Sequence, residues 1–293
     1  MNEAILVTSA TGTVGREVVK QLVEKGAQVV AAAHQNGNAA KLAHIRLPGV
    51  AVVEVDYRRP ESLAEAMSRV GELMLISPYT HDQVQLAEHI VKSAQAQGIR
   101  HMVVLSGYNV EDEEMPEIGK KLYAQEQLVR ESGIPYTFLR ACNFMQNFIN
   151  YYPPQPDGNI YLPMGQRRMN LIDARDIARL AVKALTEPGL ENKAFRLATA
   201  SHTLEEIAGT LSQATGKTIR YVDVPPDTLR SGMESAGVPE WMIRENLQLL
   251  KFAKAGRYEN TTPVFEQQTG RSPITFAQFA RDYKDAFAYL KSE

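Results

Sequence analysis

The chain has 293 residues, 44% of them hydrophobic and 23% charged, and its 32 Lys and Arg against 34 Asp and Glu leave a formal net charge of −2. That balance offers no global attraction to a nucleic-acid backbone or an anionic membrane, and the length allows about two domains with a substantial core. A single cysteine, Cys142, excludes an internal disulfide and any zinc site that takes two or more thiolates from the chain.

At the N-terminus, Met1-Asn2-Glu3-Ala4 lacks a basic leader and the apolar stretch Ile5-Leu6-Val7 stops after three residues, so a signal peptide is not expected. No apolar run approaches the roughly 20 residues of a membrane span. The expectation is a cytoplasmic protein with no membrane and no nucleic acid as partner. The first 140 residues then alternate short β-branched runs with longer helical patterns, the signature of βαβ units and of a parallel sheet. The predicted strands are 4–8, 28–33, 51–55, 73–76, 101–105 and 136–139. Between them lie helices with apolar residues three and four apart, such as Val14, Val18 and Leu22, or Val84, Ala87, Ile90, Val91 and Ala94. Pro60 marks a helix start, and Gly26, Gly98 and Gly133 mark helix stops. This spells an α/β doubly wound sheet whose strand C-termini line one edge.

After Asn147 the turn-rich stretch Tyr151-Tyr152-Pro153-Pro154-Gln155-Pro156-Asp157-Gly158 leaves the sheet. Helical spacing over 173–185 and a strand at 194–197 bring the chain back, and beyond Thr203 the pattern is mostly helical, at 203–215, 226–235, 240–253 and 275–290. The predicted organisation is a sheet domain from 1–150 plus 173–200, and a smaller, mostly helical lobe from 151–172 plus 201–293.

The strongest chemical signal is the first strand running into Ser9-Ala10-Thr11-Gly12-Thr13-Val14-Gly15 and then a helix. A dinucleotide pyrophosphate needs backbone N–H groups at a helix N-terminus with no side chain in the way. Gly12 suits that approach and Gly15 suits close packing of helix on strand, while Ser9 stands where a glycine would make the first tight turn. The alternative is a helix-packing turn in a nucleotide-free protein. The segment resembles the start of atypical short-chain dehydrogenases, and the chain as a whole is similar to their NmrA-like branch, with its NAD(P)H-dependent quinone and dye reductases. Segments that agree in order are Asp56-Tyr57-Arg58-Arg59-Pro60, Ser132-Gly133-Ile134-Pro135-Tyr136, Asn143-Phe144-Met145-Gln146-Asn147, Asp173-Ala174-Arg175-Asp176 and Thr269-Gly270-Arg271-Ser272-Pro273.

The resemblance implies a Rossmann fold holding NADP or NAD. The end of the second strand, His34-Gln35-Asn36-Gly37-Asn38, has neither the acid that accepts from a ribose hydroxyl nor the arginine that pairs with a 2'-phosphate. His34 stands where NADP-binding relatives carry Arg. The missing acid favours NADP over NAD without excluding NAD, with Lys41 and Arg58 the nearest cations, and a merely solvated loop is the alternative. The resemblance further implies that Asp56 accepts from the adenine amino group with Tyr57 beside the ring, a helix cap being the alternative for Asp56. Ile76, Ser77 and Tyr79 after the fourth strand, and Ser106, Gly107 and Tyr108 after the fifth, fall at the nicotinamide end. Asn143 and Phe144 match the family loop over cofactor and substrate, and Trp241 lies in the helices that cover the cleft in relatives. Candidate walls for an acceptor are therefore Tyr79, Tyr108, Phe144 and Trp241, with plain packing as the alternative for each.

Catalysis is marked by an absence. Ordinary short-chain dehydrogenases place Tyr and Lys four apart on the fifth helix, where the ammonium lowers the phenol pKa for proton relay. Anchored on Glu126, that frame puts Ile118 in the Tyr position and Leu122 in the Lys position, and neither can move a proton. No catalytic side chain is assigned, and no metal: His81, His89 and His101 lack ligand spacing. Cys142 lacks a placed His and reads as a packed thiol. The expected function is hydride transfer from NAD(P)H to a small aromatic or quinone-type acceptor. The rival is a dinucleotide sensor without turnover that grips a protein partner.

Overall fold

The computed structural model describes residues 4–34 and 43–290. Contacts divide the chain into two compact units. The first takes residues up to Glu111, then Gly119–Ala141 and Ala174–Arg196, and the second takes Asp112–Ile118, Cys142–Asp173 and everything from Leu197. The sequence pattern places these crossings at 150, 173 and 200. The chain leaves the first unit nearer the end of its sixth strand because Cys142 onward pairs elsewhere.

In the first unit the strands are β1 (Ala4–Val7), β2 (Val29–His34), β3 (Val50–Val55), β4 (Val70–Leu75), β5 (His101–Gly107), β6 (Tyr136–Ala141) and, after a long excursion, β10 (Lys193–Leu197). They form one sheet in the order β10-β6-β5-β4-β1-β2-β3. The pairs among β1 to β6 are all parallel. All six strands of the βαβ pattern and the returning strand stand where the sequence predicts, within a few residues at their ends. Their β-branched and leucine runs are buried because helices cover both faces: Leu6, Leu73, Leu75, Val104 and Phe138 are fully buried in one cluster. Each such side chain contributes roughly 1.5–3 kcal/mol through apolar burial. The helix Thr13–Glu24 buries Val14, Val18 and Leu22, the predicted stripe. The returning helix Ala174–Thr186 is tied to it by the Gln21 amide donating to Arg175 O at 2.9 Å. The order of strands reverses between β1 and β4, and the crevice outside their carboxyl ends is where such sheets take ligands.

The second unit is mostly helical after Thr203, with helices Leu204–Thr215, Pro226–Ser235, Glu240–Phe252, Val264–Thr269 and Phe276–Asp282. The predicted last helix is broken, a 3-10 turn at Lys284–Phe287 following the shorter segment. The unit also holds strands absent from the sequence reading: β7 (Asn143–Phe144), β8 (Asn159–Leu162), β9 (Arg168–Ile172), β11 (Ala200–Thr203) and β12 (Arg220–Asp223). They make a three-stranded sheet, β11-β9-β7, and a two-stranded one, β12-β8. Segments of two to five residues carry too few alternations to register as strands from sequence. No helix of the described residues is long and apolar enough to cross a membrane.

Candidate functional site

The turn between β1 and the helix Thr13–Glu24 is built around Ser9. Its φ is 47°, the left-handed region that a glycine would occupy at no cost. Three bonds hold it there. Its N–H donates to the Tyr57 hydroxyl at 2.8 Å, and its own hydroxyl donates to Ile76 O at 2.8 Å. Its carbonyl accepts from Gly12 N at 2.9 Å. One residue earlier, Thr8 Oγ1 accepts from Ile76 N at 2.7 Å, so the exits of β1 and β4 are clasped together at the crevice.

The two glycines differ in role. A Cβ on Gly15 would lie 2.4 Å from Ser9 O and 2.8 Å from Ala10 Cα, so packing of helix on strand excludes any side chain. A Cβ on Gly12 would meet only Ser9 O, at 3.2 Å, and Gly12 itself faces solvent. Gly12 caps the helix in an extended conformation without a side-chain hydrogen bond, and the first turn carries no acid. A helix N-terminus in that state attracts an anion. Thr11 and Thr13 are half-buried beside it, whereas Val14 is buried in the core and offers the site only its backbone. The turn therefore fits a dinucleotide pyrophosphate.

Around the adenine end the structure revises one expectation. Tyr57 does not stand open beside a ring: it is 3% exposed, with its hydroxyl on Ser9. Burial pushes its phenol above the ordinary tyrosine value, against the hydrogen bond from Ser9. Asp56 is half-buried, and its Oδ1 accepts from Arg58 N at 3.0 Å. The helix Pro60–Met67 is capped by Arg59 with no side-chain bond, so Asp56 is not its cap. Arg58 reaches across to Asp82 at 2.6 Å. His34 ends β2, while Gln35 and Lys41 lie outside the described residues.

At the exits of β4 and β5 two buried polar side chains, which the sequence reading did not assign to the site, take up the hydroxyls. Ser77 donates to Gln125, and Gln125 Nε2 donates to Leu105 O at 3.3 Å. Ser106 donates to Glu126 at 2.7 Å. Glu126 is fully buried and also accepts from Arg140 Nε at 2.9 Å and Nη2 at 2.7 Å. Arg140 Nη1 continues to Glu111 at 2.9 Å, and Arg196 pairs with the same carboxylate. Burial opposes the charge on Glu111, but its own backbone N–H and the two guanidiniums win and hold the carboxyl below its ordinary value. The available signal was Arg140, a charge inside the apolar strand Tyr136–Ala141, which demands a buried partner. Leu122 packs over Gly107, its Cδ1 3.0 Å from where a Cβ on that glycine would be. Ile76, Ser77 and Tyr79 are half-buried, but Tyr108 is 6% exposed and belongs to the core rather than to an open wall.

In the second unit Asn143 and Phe144 are half-buried and form β7, in register with Leu171 and Ile172 of β9. Gln146 donates to Asp173 at 3.0 Å, both buried. Trp241 is half-buried on the helix Glu240–Phe252. Cys142 is buried and burial pushes its thiol well up, as suits a packed side chain. Among the described residues no group of His, Cys, Asp and Glu is arranged to hold a metal ion.

A parallel sheet with its order reversed at β1 and β4, and an uncapped glycine turn beside that reversal, define a Rossmann-type dinucleotide-binding protein. The profile of the NmrA-like family matches residues 1–280, and the chain belongs to that family. It is 34% identical over 286 residues to an NAD(P)H azoreductase of Xenophilus azovorans, covering 97% of this chain and 99% of that one. Identity to quinone oxidoreductase 2 of Escherichia coli is 25% over 242 residues, 80% of this chain and 83% of the relative. The crystal structure of the Citrobacter sp. triphenylmethane reductase complexed with NADP(H) superposes with a TM-score of 0.83 at 27% identity, covering 95% and 99% of the two chains.

Proposed function

We propose that this protein is an NAD(P)H-dependent reductase that passes hydride to a conjugated acceptor, of quinone or dye type, without a Tyr-Lys proton relay. The observation that carries the reading is the glycine turn at the switch point, open at Gly12 and free of acid, in a chain whose relatives include azo, quinone and triphenylmethane reductases. Backbone N–H groups at the start of the helix, those of Thr13 and Val14, would hold the pyrophosphate, with Gly12 leaving room for it. Asp56 spends one oxygen on Arg58 N and keeps the other for the adenine amino group. With no acid in 34–38, a 2'-phosphate is tolerated, and NADP is preferred with NAD accepted.

When bound, the reduced nicotinamide supplies the hydride. At the β4 and β5 exits neither the positions of the ordinary relay nor the strand-end serines supply a proton. Ile118 and Leu122 are hydrocarbon, the Ser77 and Ser106 hydroxyls already donate to Gln125 and Glu126, and Glu126 is saturated by Arg140 and Ser106. An acceptor whose reduced form is a delocalised anion, or whose oxidised form is a cation, needs no acid at that instant and can be protonated later by water. What remains for the chain is to position a flat acceptor, with Tyr79 as a wall beside the β4 exit.

The test is steady-state oxidation of NADPH and NADH with a panel of quinones, azo dyes and triphenylmethane dyes. The expected result is turnover with at least one of these classes and a higher kcat/KM for NADPH. Tight cofactor binding with no turnover of any acceptor would replace this reading by that of a dinucleotide sensor acting on a protein partner.

A further inference from the structure

Two serines stand at the carboxyl ends of neighbouring strands, Ser77 just beyond β4 and Ser106 in β5. Two successive residues of the helix Glu117–Glu131 take their hydrogens: Ser77 donates to Gln125 and Ser106 to Glu126. All four lie in the first unit. Glu126 is also held by Arg140, and Ser106 is 4% exposed, so that pair is sealed in the interior. The other pair differs, because Ser77 is only half-buried while Gln125 is fully buried and carries no charge to be neutralised. The sense of the Gln125 amide is fixed from its far end. Leu105 O can only accept, so it faces the Nε2 group, which donates to it at 3.3 Å. The amide oxygen therefore faces Ser77, and the Ser77 hydroxyl must donate inward. Only lone pairs are left on that hydroxyl for any group that enters the crevice beyond β4.

A dinucleotide laid over this sheet runs in one direction. Its pyrophosphate belongs at the helix that follows β1, and its adenine half at the ends of β2 and β3, where His34 and Asp56 stand. The nicotinamide half then falls on the other side of the switch point, over the exits of β4 and β5. That half carries N–H and O–H donors, the carboxamide amine and the ribose hydroxyls. We propose that Gln125 is a positioning residue for the cofactor, a role that rests on the dinucleotide reading above: by taking the Ser77 hydrogen it makes that hydroxyl a pure acceptor, which receives a hydrogen bond from a donor on the nicotinamide half. A hydrocarbon side chain in place of the amide would leave the Ser77 hydrogen free to turn outward against that donor. The buried amide thus sets from beneath where the nicotinamide half comes to rest, without touching it.

Calorimetric titration of the full chain with NADP and with adenosine 2',5'-bisphosphate, which lacks the second ribose and the nicotinamide, tests this. Ser77→Ala should weaken NADP about threefold to tenfold, the worth of one hydrogen bond, and leave the bisphosphate within about twofold of the wild type. Gln125→Met should weaken NADP at least about twofold, and adding it to Ser77→Ala should cost nothing further, because the two act through one bond. Gln125→Glu keeps an oxygen for Ser77 but sets another against Leu105 O, so it should lower the melting temperature and still bind NADP within about twofold of the wild type. The 3-acetylpyridine analogue of NADP, which has no carboxamide amine, identifies the donor. If its affinity ignores Ser77→Ala the donor is the amine, and if it still falls the donor is a ribose hydroxyl. Four results would overturn the proposal while leaving the dinucleotide reading in place: Ser77→Ala binding NADP as tightly as the wild type, equal losses for NADP and the bisphosphate, losses that add in full in the double variant, or Gln125→Glu binding NADP as weakly as Ser77→Ala. A wild-type chain that binds neither NADP nor NAD would remove that reading and this role together.

Discussion

Ser9 shows how one departure from a glycine pattern is accommodated. A serine at φ 47° costs backbone strain of the order of 1 kcal/mol or more that a glycine would not. In return it gains a hydroxyl bond to Ile76 O, and its N–H is satisfied by Tyr57. Tyr57→Phe removes that acceptor and leaves a half-buried N–H without it, which should cost about 1 kcal/mol of stability. Since the same N–H fixes the turn, the variant should also weaken NADPH binding, read by calorimetry, with kcat little changed. An unaltered melting temperature together with unaltered affinity would show that Tyr57 braces nothing. The two glycines should separate in the same measurements. Gly15→Ala forces the helix off the strand, because its Cβ would sit 2.4 Å from Ser9 O, and the loss should appear in stability. Gly12→Val leaves the fold close to intact and should abolish dinucleotide binding, because the branched side chain stands where the pyrophosphate must come.

Between the fifth strand, the helix Glu117–Glu131 and the sixth strand, the Ser106, Glu126, Arg140 and Glu111 network replaces hydrocarbon packing with a chain of charge. Breaking a buried pair from one side is expensive, and Glu126→Gln should cost about 3–5 kcal/mol, measured by urea unfolding. Glu111 adds a pH dependence. Its folded value lies below the ordinary carboxyl value, so its stabilisation is fully present above the unfolded pKa of about 4.3 and is lost as pH falls through the lower folded one. The stability difference between the wild type and Glu111→Gln should therefore be larger at neutral pH than near pH 3, and a constant difference would refute the assignment. These elements also mark what a sequence discloses. The first six strands of the first unit were legible because each is an apolar run between helical stripes, and the phosphate turn because glycines at Gly12 and Gly15 follow a buried strand. Asn143–Phe144 and the other short strands of the second unit were not, since they are fixed by pairing with β9 and β8 rather than by their own pattern. The direction of the Tyr57 ring is not legible for a related reason: its place beside Asp56 in the chain does not set it, and the clasp on Ser9 does.

Taken as a whole, the fold moves the ionisable groups it perturbs away from the window where proton transfer to a substrate would be controlled. Burial pushes Tyr57 further above the ordinary tyrosine value and Cys142 well up, while Glu111 and Asp82 are held down, Asp82 against a burial penalty by its bonds to Thr80 and Arg58. None of these shifts carries a group into the range between about pH 6 and about 9, where a general acid or base would have to titrate. On the proposed reading, Ile118 and Leu122 stand where a Tyr-Lys pair would. Reduction of a secondary ketone creates an alkoxide that must be protonated as the hydride arrives, so simple ketones should be poor substrates and secondary alcohols should be oxidised slowly or not at all. A quinone or a cationic dye carries its own electron sink, and the rate then rests on alignment rather than on an acid. The profile of kcat/KM for a quinone should accordingly be shallow across that range, changing by less than about threefold. The decisive comparison uses one enzyme preparation with a quinone and a secondary alcohol at each pH. Efficient alcohol oxidation rising with a single ionisation of tyrosine character would demand a phenol relay that Ile118 and Leu122 do not provide.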